Sequence, residues 1–261
     1  MIFRFNGFSK VLCDLEDLYN GSCILLGGAP NANQENLALL RDPNVVVVGM
    51  NNVPAAFPGI VNISLTADKP ICYSSKILMD RSMTHFAGLG KAYETISTPA
   101  GDVQWKDMPN TFFYSASDDV TINNFLDVVR LKFAWWKNIF PIAIQLCYYL
   151  GFRTVYTLGC SFKIDMTCKA PAYSFDKNLT KEQKVWNANT YGHCVTWMQE
   201  LQPHLVKHGM HVISCTKDSL INDTYGYITM EDAIAKIKHQ FPTKYDLSKV
   251  KHSSELQIKQ K

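Results

Sequence analysis

The sequence lacks the short signatures that settle chemistry on their own. None of its 261 residues belongs to a GxGxxG fingerprint, a GxxxxGK[ST] phosphate loop or a DxD pair, which speaks against a dinucleotide cofactor, Walker-type ATP hydrolysis and metal-chelating sugar transfer. The eight cysteines (Cys13, Cys23, Cys72, Cys147, Cys160, Cys168, Cys194 and Cys215) form no CxxC pair and sit mostly inside apolar runs. That pattern suits buried thiols in a reducing compartment, and neither a disulfide framework nor a zinc site. No stretch approaches the roughly 18 apolar residues of a membrane span, and the opening MIFRFNGFSK has no signal-peptide core or cleavage site. The expectation is a cytoplasmic protein without a transmembrane segment, in which the sequons at Asn62, Asn178 and Asn222 carry no glycan. Internal repeats and low-complexity linkers are also missing.

What is present describes an ordinary globular chain. Hydrophobic residues make up 47% and charged residues 19%, far from the signature of disorder. One domain over residues 1–240 is expected, with an inserted loop near 88–110 where patterning is weakest. The net charge of +3 is uneven. From Ala235 to Lys261 seven lysines face only Asp246 and Glu255, a local +5 that leaves the rest near −2. Residues 241–261 therefore read as a basic, solvated tail, which can supply only sequence-independent attraction to DNA or an anionic surface.

Apolar runs and turn signals alternate along the chain. Ser22 to Leu26 (SCILL) reads as a buried strand closed by Gly27-Gly28-Ala29-Pro30, and Asn31 to Arg41 as a capped helix. Val45 to Val48 is continuously β-branched, as in a parallel strand covered on both faces, and ends at Gly49-Met50-Asn51-Asn52. Further strands are expected at Ile60 to Leu65, Thr111 to Ser115, Arg153 to Leu158 and His211 to Cys215. Helices are expected over Tyr73 to Ala87, over Asn123 to Tyr149 in two pieces split at Pro141, over Lys181 to Lys207, and from Thr229 to about His239. Strands and helices alternating at this length predict an α/β, Rossmann-like fold, with a mainly parallel sheet and helices on both faces. Ligands then sit at the carboxyl ends of the strands.

The residues just beyond each strand are the candidates. Gly27, Gly28, Ala29 and Asn31 let backbone approach an anion at a helix N-terminus, or they merely join strand to helix. Asn51 and Asn52 offer amides to a base or ribose, although asparagine is also common in turns for its tolerance of left-handed backbone. Asp68 occupies the corresponding place after the next strand. Tyr173-Ser174-Phe175-Asp176 and Tyr191-Gly192-His193 both follow the strand ending at Gly159. A histidine entering a helix suits a general base, and a structural role is the plainer alternative.

Six segments together resemble the bacterial lipooligosaccharide sialyltransferases and the wider Rossmann superfamily that includes the archaeal hydroxymethylpterin diphosphokinases. The family's G-N-G-P-S turn is matched by Gly27 to Asn31, and its strand ending in C-N by Val46 to Asn51. Its L-G-Y-[KR]-x-[IV]-Y-L-x-G-x-D-F is matched by Leu150 to Phe162. Its Y-A-F-D, Y-x-G-H and S-L-[IL] are matched by Tyr173 to Asp176, Tyr191 to His193 and Ser219 to Ile221. The resemblance implies His193 as the base that deprotonates an acceptor hydroxyl, Tyr173 as a ligand of the departing phosphate and Asn51 as a nucleotide contact. The chain departs from the family at Gly28, Ser161 and Lys163, which replace asparagine, aspartate and tyrosine. A lysine at 163 suits the departing phosphate by charge.

The resulting expectation is a metal-independent glycosyltransferase. Its partners are a nucleotide-sugar donor, used as co-substrate with no resident cofactor, and a hydroxyl acceptor, either a glycan or a modified DNA base. Two alternatives stand beside it: a magnesium-dependent diphosphokinase of the hydroxymethylpterin type, and a nucleotide-binding module without turnover. Homo-oligomerisation is left open.

Overall fold

Burial on both sides explains the unbroken apolar run at Ser22–Leu26. In the computed structural model, which describes residues 1–6, 9–73, 75–108, 110–164, 166 and 180–238, this run is strand β3 (Gly21–Leu26) in the interior of a nine-stranded sheet. Cys23 and Leu25 enter one hydrophobic cluster while Ile24 and Leu26 enter another on the opposite face.

The strands, in chain order, are β1 (Ile2–Asn6), β2 (Ser9–Cys13), β3, β4 (Val47–Met50), β5 (Ile63–Thr66), β6 (Thr84–Gly88), β7 (Thr95–Thr98), β8 (Gly101–Gln104), β9 (Thr111–Tyr114), β10 (Ala116–Ser117), β11 (Phe133–Ala134), β12 (Phe152–Leu158) and β13 (His211–Ser214). The helices are α1 (Val53–Ala56), α2 (Ser75–Leu78), α3 (Ile139–Tyr149), α4 (Lys181–Lys207), α5 (Asn222–Tyr225) and α6 (Met230–Lys238). The main sheet runs β13-β12-β3-β4-β5-β6-β9-β1-β2. All pairings from β13 to β9 are parallel, and the β1–β2 hairpin closes that edge antiparallel, with Ile2 opposite Tyr114. From β3 the chain steps outward through β4, β5, β6 and β9, then returns to place β12 on the other side of β3. The boundary between β3 and β12 is thus a switch point, where connections diverge to leave a crevice.

Helices cover both faces. Buried residues of α3 and α4 share the first cluster with Phe125 and Phe133, and α6 packs in the second with Leu40 and Val53. The expected α/β architecture, mainly parallel, is thus observed. No helix among the described residues is long and apolar enough to cross a membrane. The seven cysteines among them are free thiols, six of them buried.

Several local expectations are corrected. Asn31 to Arg41 is not one capped helix but two 3-10 turns, Pro30–Gln34 and Leu37–Arg41, with no side-chain cap on either; asparagines at 31, 33 and 36 weaken helical continuity. Tyr73 to Ala87 forms only the single turn α2 before β6. The Asp80 carboxylate accepts from both the Ser82 N–H and hydroxyl, making a turn between them. Upstream of α3, residues 123–138 form a turn and β11 rather than a helix, and Pro141 lies in the first turn of α3, where a missing N–H costs nothing. The 88–110 insertion is the antiparallel hairpin β7–β8 packed over buried Trp105. α4 spans the expected residues, and Thr180 and Gln183 close a reciprocal capping box at its start. The tail at 241–261 lies outside the described residues.

Candidate functional site

A pocket of about 290 Å³ opens at the carboxyl ends of β3, β4, β5 and β12, over the switch point. Gly27 and Gly159 bring its floor together. The Gly27 N–H donates to the Leu158 carbonyl at 2.8 Å and the Ala29 N–H to the Gly159 carbonyl at 2.9 Å. Two amides of the glycine turn are therefore committed to β12 and are not offered to an anion. The Asn31 expectation also changes: the following segment is a five-residue 3-10 turn, too short to sum a useful dipole, and Asn31 does not line the pocket. Gly27, Gly28 and Ala29 do line it, as backbone floor.

Asn51, Asn52 and Asp68 line one wall. Asn51 has φ +53, the left-handed conformation that asparagine tolerates. The Tyr73 hydroxyl donates to Asn51 Oδ1 at 3.2 Å and accepts from the Asp68 N–H at 3.2 Å. Tyr73 thereby ties the β4 and β5 loops and turns the Asn51 NH2 away from itself. Burial, then the Asp68 charge, push the Tyr73 phenol far above its ordinary pKa, so it stays a donor. Asn52 Nδ2 donates to the Cys72 carbonyl at 3.0 Å.

The opposite wall is the Gly159–Lys163 segment. It is pinned from the β13 side: the Cys160 N–H donates to Thr216 Oγ1 at 3.1 Å, the Ser219 hydroxyl to the Cys160 carbonyl at 2.6 Å, and the Leu220 N–H to the Ser161 carbonyl at 3.2 Å. Burial raises the Cys160 thiol well above its usual range, which removes it as a nucleophile. Phe162 adopts φ +56 with its ring edge-on to Phe140, centroids 4.9 Å apart. Lys137, also in the pocket, has φ +55. Three of the five described non-glycine residues with positive φ thus line this one pocket, and such strain concentrates at sites whose geometry the surroundings enforce.

The three residues expected to be catalytic fare differently. Lys163 lines the pocket with its side chain exposed. Tyr173 lies outside the described residues. His193 stands in the middle of α4, outside the pocket lining, exposed and stacked on Trp197 at 5.9 Å between centroids. The α4 residues that reach the pocket are Trp186, Asn187, Thr190 and Tyr191. Their spacing is that of one helical face, a signal present in the sequence but missed beside the more reactive histidine. Trp135, Lys137, Asn138 and Tyr73 were also missed, because loops remote in sequence carry them.

The described lining contains two lysines, one aspartate and no histidine. Trp135, Phe162, Trp186 and Tyr191 add aromatic rings to this lining. Comparison of the chain with models of known protein families, with curated proteins and with solved structures finds no match.

Proposed function

We propose that this pocket binds a nucleotide sugar and that the chain transfers the sugar to a hydroxyl acceptor without requiring a metal. The observation that carries this reading is the meeting, at the switch point, of Lys137 and Lys163 with the Asn51 and Asn52 amides and the single carboxylate of Asp68. An excess of fixed positive charge favours an anionic ligand, and a lysine beside the leaving phosphate stabilises the charge that develops as the sugar departs. Asn51, its oxygen engaged by Tyr73, offers its two N–H donors to a base or ribose oxygen. The aromatic rings supply faces for a base or sugar.

With His193 outside the pocket, Asp68 takes the role of general base, accepting the acceptor proton as the hydroxyl attacks the anomeric carbon and the nucleotide leaves. Asp68 also favours one alternative: a carboxylate beside phosphates is what magnesium-dependent diphosphoryl transfer uses. A thermal-shift panel of nucleotides and nucleotide sugars, with and without magnesium, tests both. A ligand at 100 times its Kd stabilises by about 2.7 kcal/mol. Stabilisation by a nucleotide sugar without magnesium supports glycosyl transfer, and stabilisation only by magnesium nucleotides sinks it in favour of the diphosphokinase reading.

A further inference from the structure

A second cluster lies at the other end of α4, where His204 and His208 stand four residues apart and so share a face. Their ring centroids are 4.4 Å apart. Asp127, from the segment between the 122–124 turn and β11, faces them. One ligand atom from each of the three falls within 4.8 Å of the others.

The orientation of His208 makes this more than proximity. Its Nδ1 lies 2.9 Å from the His204 carbonyl oxygen, which can only accept, so Nδ1 carries a proton. The neutral ring then points its Nε2 lone pair at Asp127 Oδ1, 2.9 Å away and also an acceptor. Two acceptors at that separation share a second ring proton, and a metal ion bound by both in its place would set them about 3.3 Å apart, a small shift for the half-exposed Asp127 side chain. An imidazole oriented by a backbone carbonyl is also the usual arrangement of a metal-ligating histidine. The C-terminal end of the 27-residue α4 adds partial negative charge at the same place. Lys207 is the adjacent charge that opposes a cation.

We infer that Asp127, His204 and His208 form a binding site for a divalent transition-metal ion of the zinc class, separate from the pocket and holding none of the groups that act in the reaction proposed for it. Two imidazoles and one carboxylate suit zinc, cobalt(II) or nickel(II) better than magnesium or calcium, which prefer oxygen ligands. His204 contributes Nε2, which gives up a long hydrogen bond from the Leu126 N–H at 3.4 Å, and water completes the coordination. The ion clamps the 122–134 segment onto α4. That segment runs on into Trp135 and Lys137, so a loaded site steadies one wall of the pocket.

The test is a titration of chelator-treated full-length protein with cobalt(II), followed by zinc competition against a chromophoric chelator. One equivalent should bind with d–d bands and without a thiolate charge-transfer band, and zinc should raise the melting temperature. Asp127→Asn alters an exposed side chain and should keep the fold while weakening zinc binding about tenfold or more, and His208→Gln should do the same. Failure of the wild type to bind cobalt, unchanged binding in Asp127→Asn, or a thiolate charge-transfer band would overturn the inference, leaving a hydrogen-bonded imidazolium–carboxylate pair.

Discussion

Gly27 and Gly159 meet back to back where β3 and β12 end. A Cβ on Gly27 would sit 2.4 Å from the Gly159 carbonyl oxygen, and one on Gly159 would sit 2.6 Å from the Gly27 carbonyl oxygen. Neither obstacle is a flexible side-chain end, so the strands themselves would have to part. Gly27→Ala should therefore destabilise the protein by about 3 kcal/mol or more, read as a lowered urea midpoint. Gly159→Ala should cost at least as much, since φ +65 adds a left-handed penalty of about 1–2 kcal/mol. A midpoint unchanged in both would mean that the floor is not built this way.

Gly28 should behave differently from its neighbour. It lines the pocket, so Gly28→Val should leave a folded protein while abolishing stabilisation by nucleotide, through crowding at the floor. Undiminished nucleotide affinity would remove the turn from the site.

Catalysis should divide along the pocket boundary. Asp68→Asn should lower kcat by roughly 10² to 10⁴, the usual worth of a positioned base, with little change in donor affinity. Lys163→Ala should weaken both turnover and nucleotide binding. His193→Ala should leave turnover at the parental rate, because its ring lies outside the pocket against Trp197. Steady-state kinetics on one hydroxyl acceptor would separate these, and a large loss confined to His193→Ala would reverse the assignment.

Lys137 offers a stability and function trade. Its φ of +55 suits glycine, so Lys137→Gly should stabilise the free protein by about 1 kcal/mol while weakening the anionic ligand. Thermal melts with and without nucleotide should move in opposite directions. A loss of stability without ligand would show that Lys137 is held by contacts worth more than its strain.

The acid side of the stability profile should carry the mark of His85. It is buried in β6 with Nε2 3.1 Å from the Asp80 carbonyl, and burial holds its pKa below the ordinary 6.5. The unfolded chain takes up the proton first, so stability is fully present above about pH 6.5 and falls as pH drops through the unfolded value, levelling only below the folded one. Urea midpoints between pH 7.5 and 5 should fall less steeply in His85→Gln, and an identical slope would exclude His85 as the source.

What could be read from the sequence follows from how local the cause is. Every residue of Ser22–Leu26 is buried, so composition alone marked the strand, and Thr180 with Gln183 announced the start of α4. The strand Thr84–Gly88 carries His85 and two small residues and shows no such pattern. It is a strand because β5 and β9 flank it in the sheet, which no local window contains. The same division holds at the site. Residues just after strands (Gly27, Asn51, Asp68) were legible from the rule that ligands meet strand ends, and Lys163 from the family resemblance. Tyr73 and Lys137 were not, because distant loops bring them there. His193 shares the helical phase of Trp186 and Thr190, seven and three residues before it, but stands further along α4, beyond the pocket lining.

The pairing of β3 with β12 joins Leu25 to Thr157 across roughly 130 residues of intervening chain. Such separation delays the contact, because loop closure must precede its reward. At a synthesis rate of about 5–20 residues per second, β3 waits on the order of 7–26 s for its partner to emerge from the ribosome. Throughout that interval a buried apolar strand has an unpaired edge, and the pocket has only half its floor. A fragment ending before β12 thus lacks one wall of the pocket and presents an unpaired apolar edge of the kind that chaperones bind.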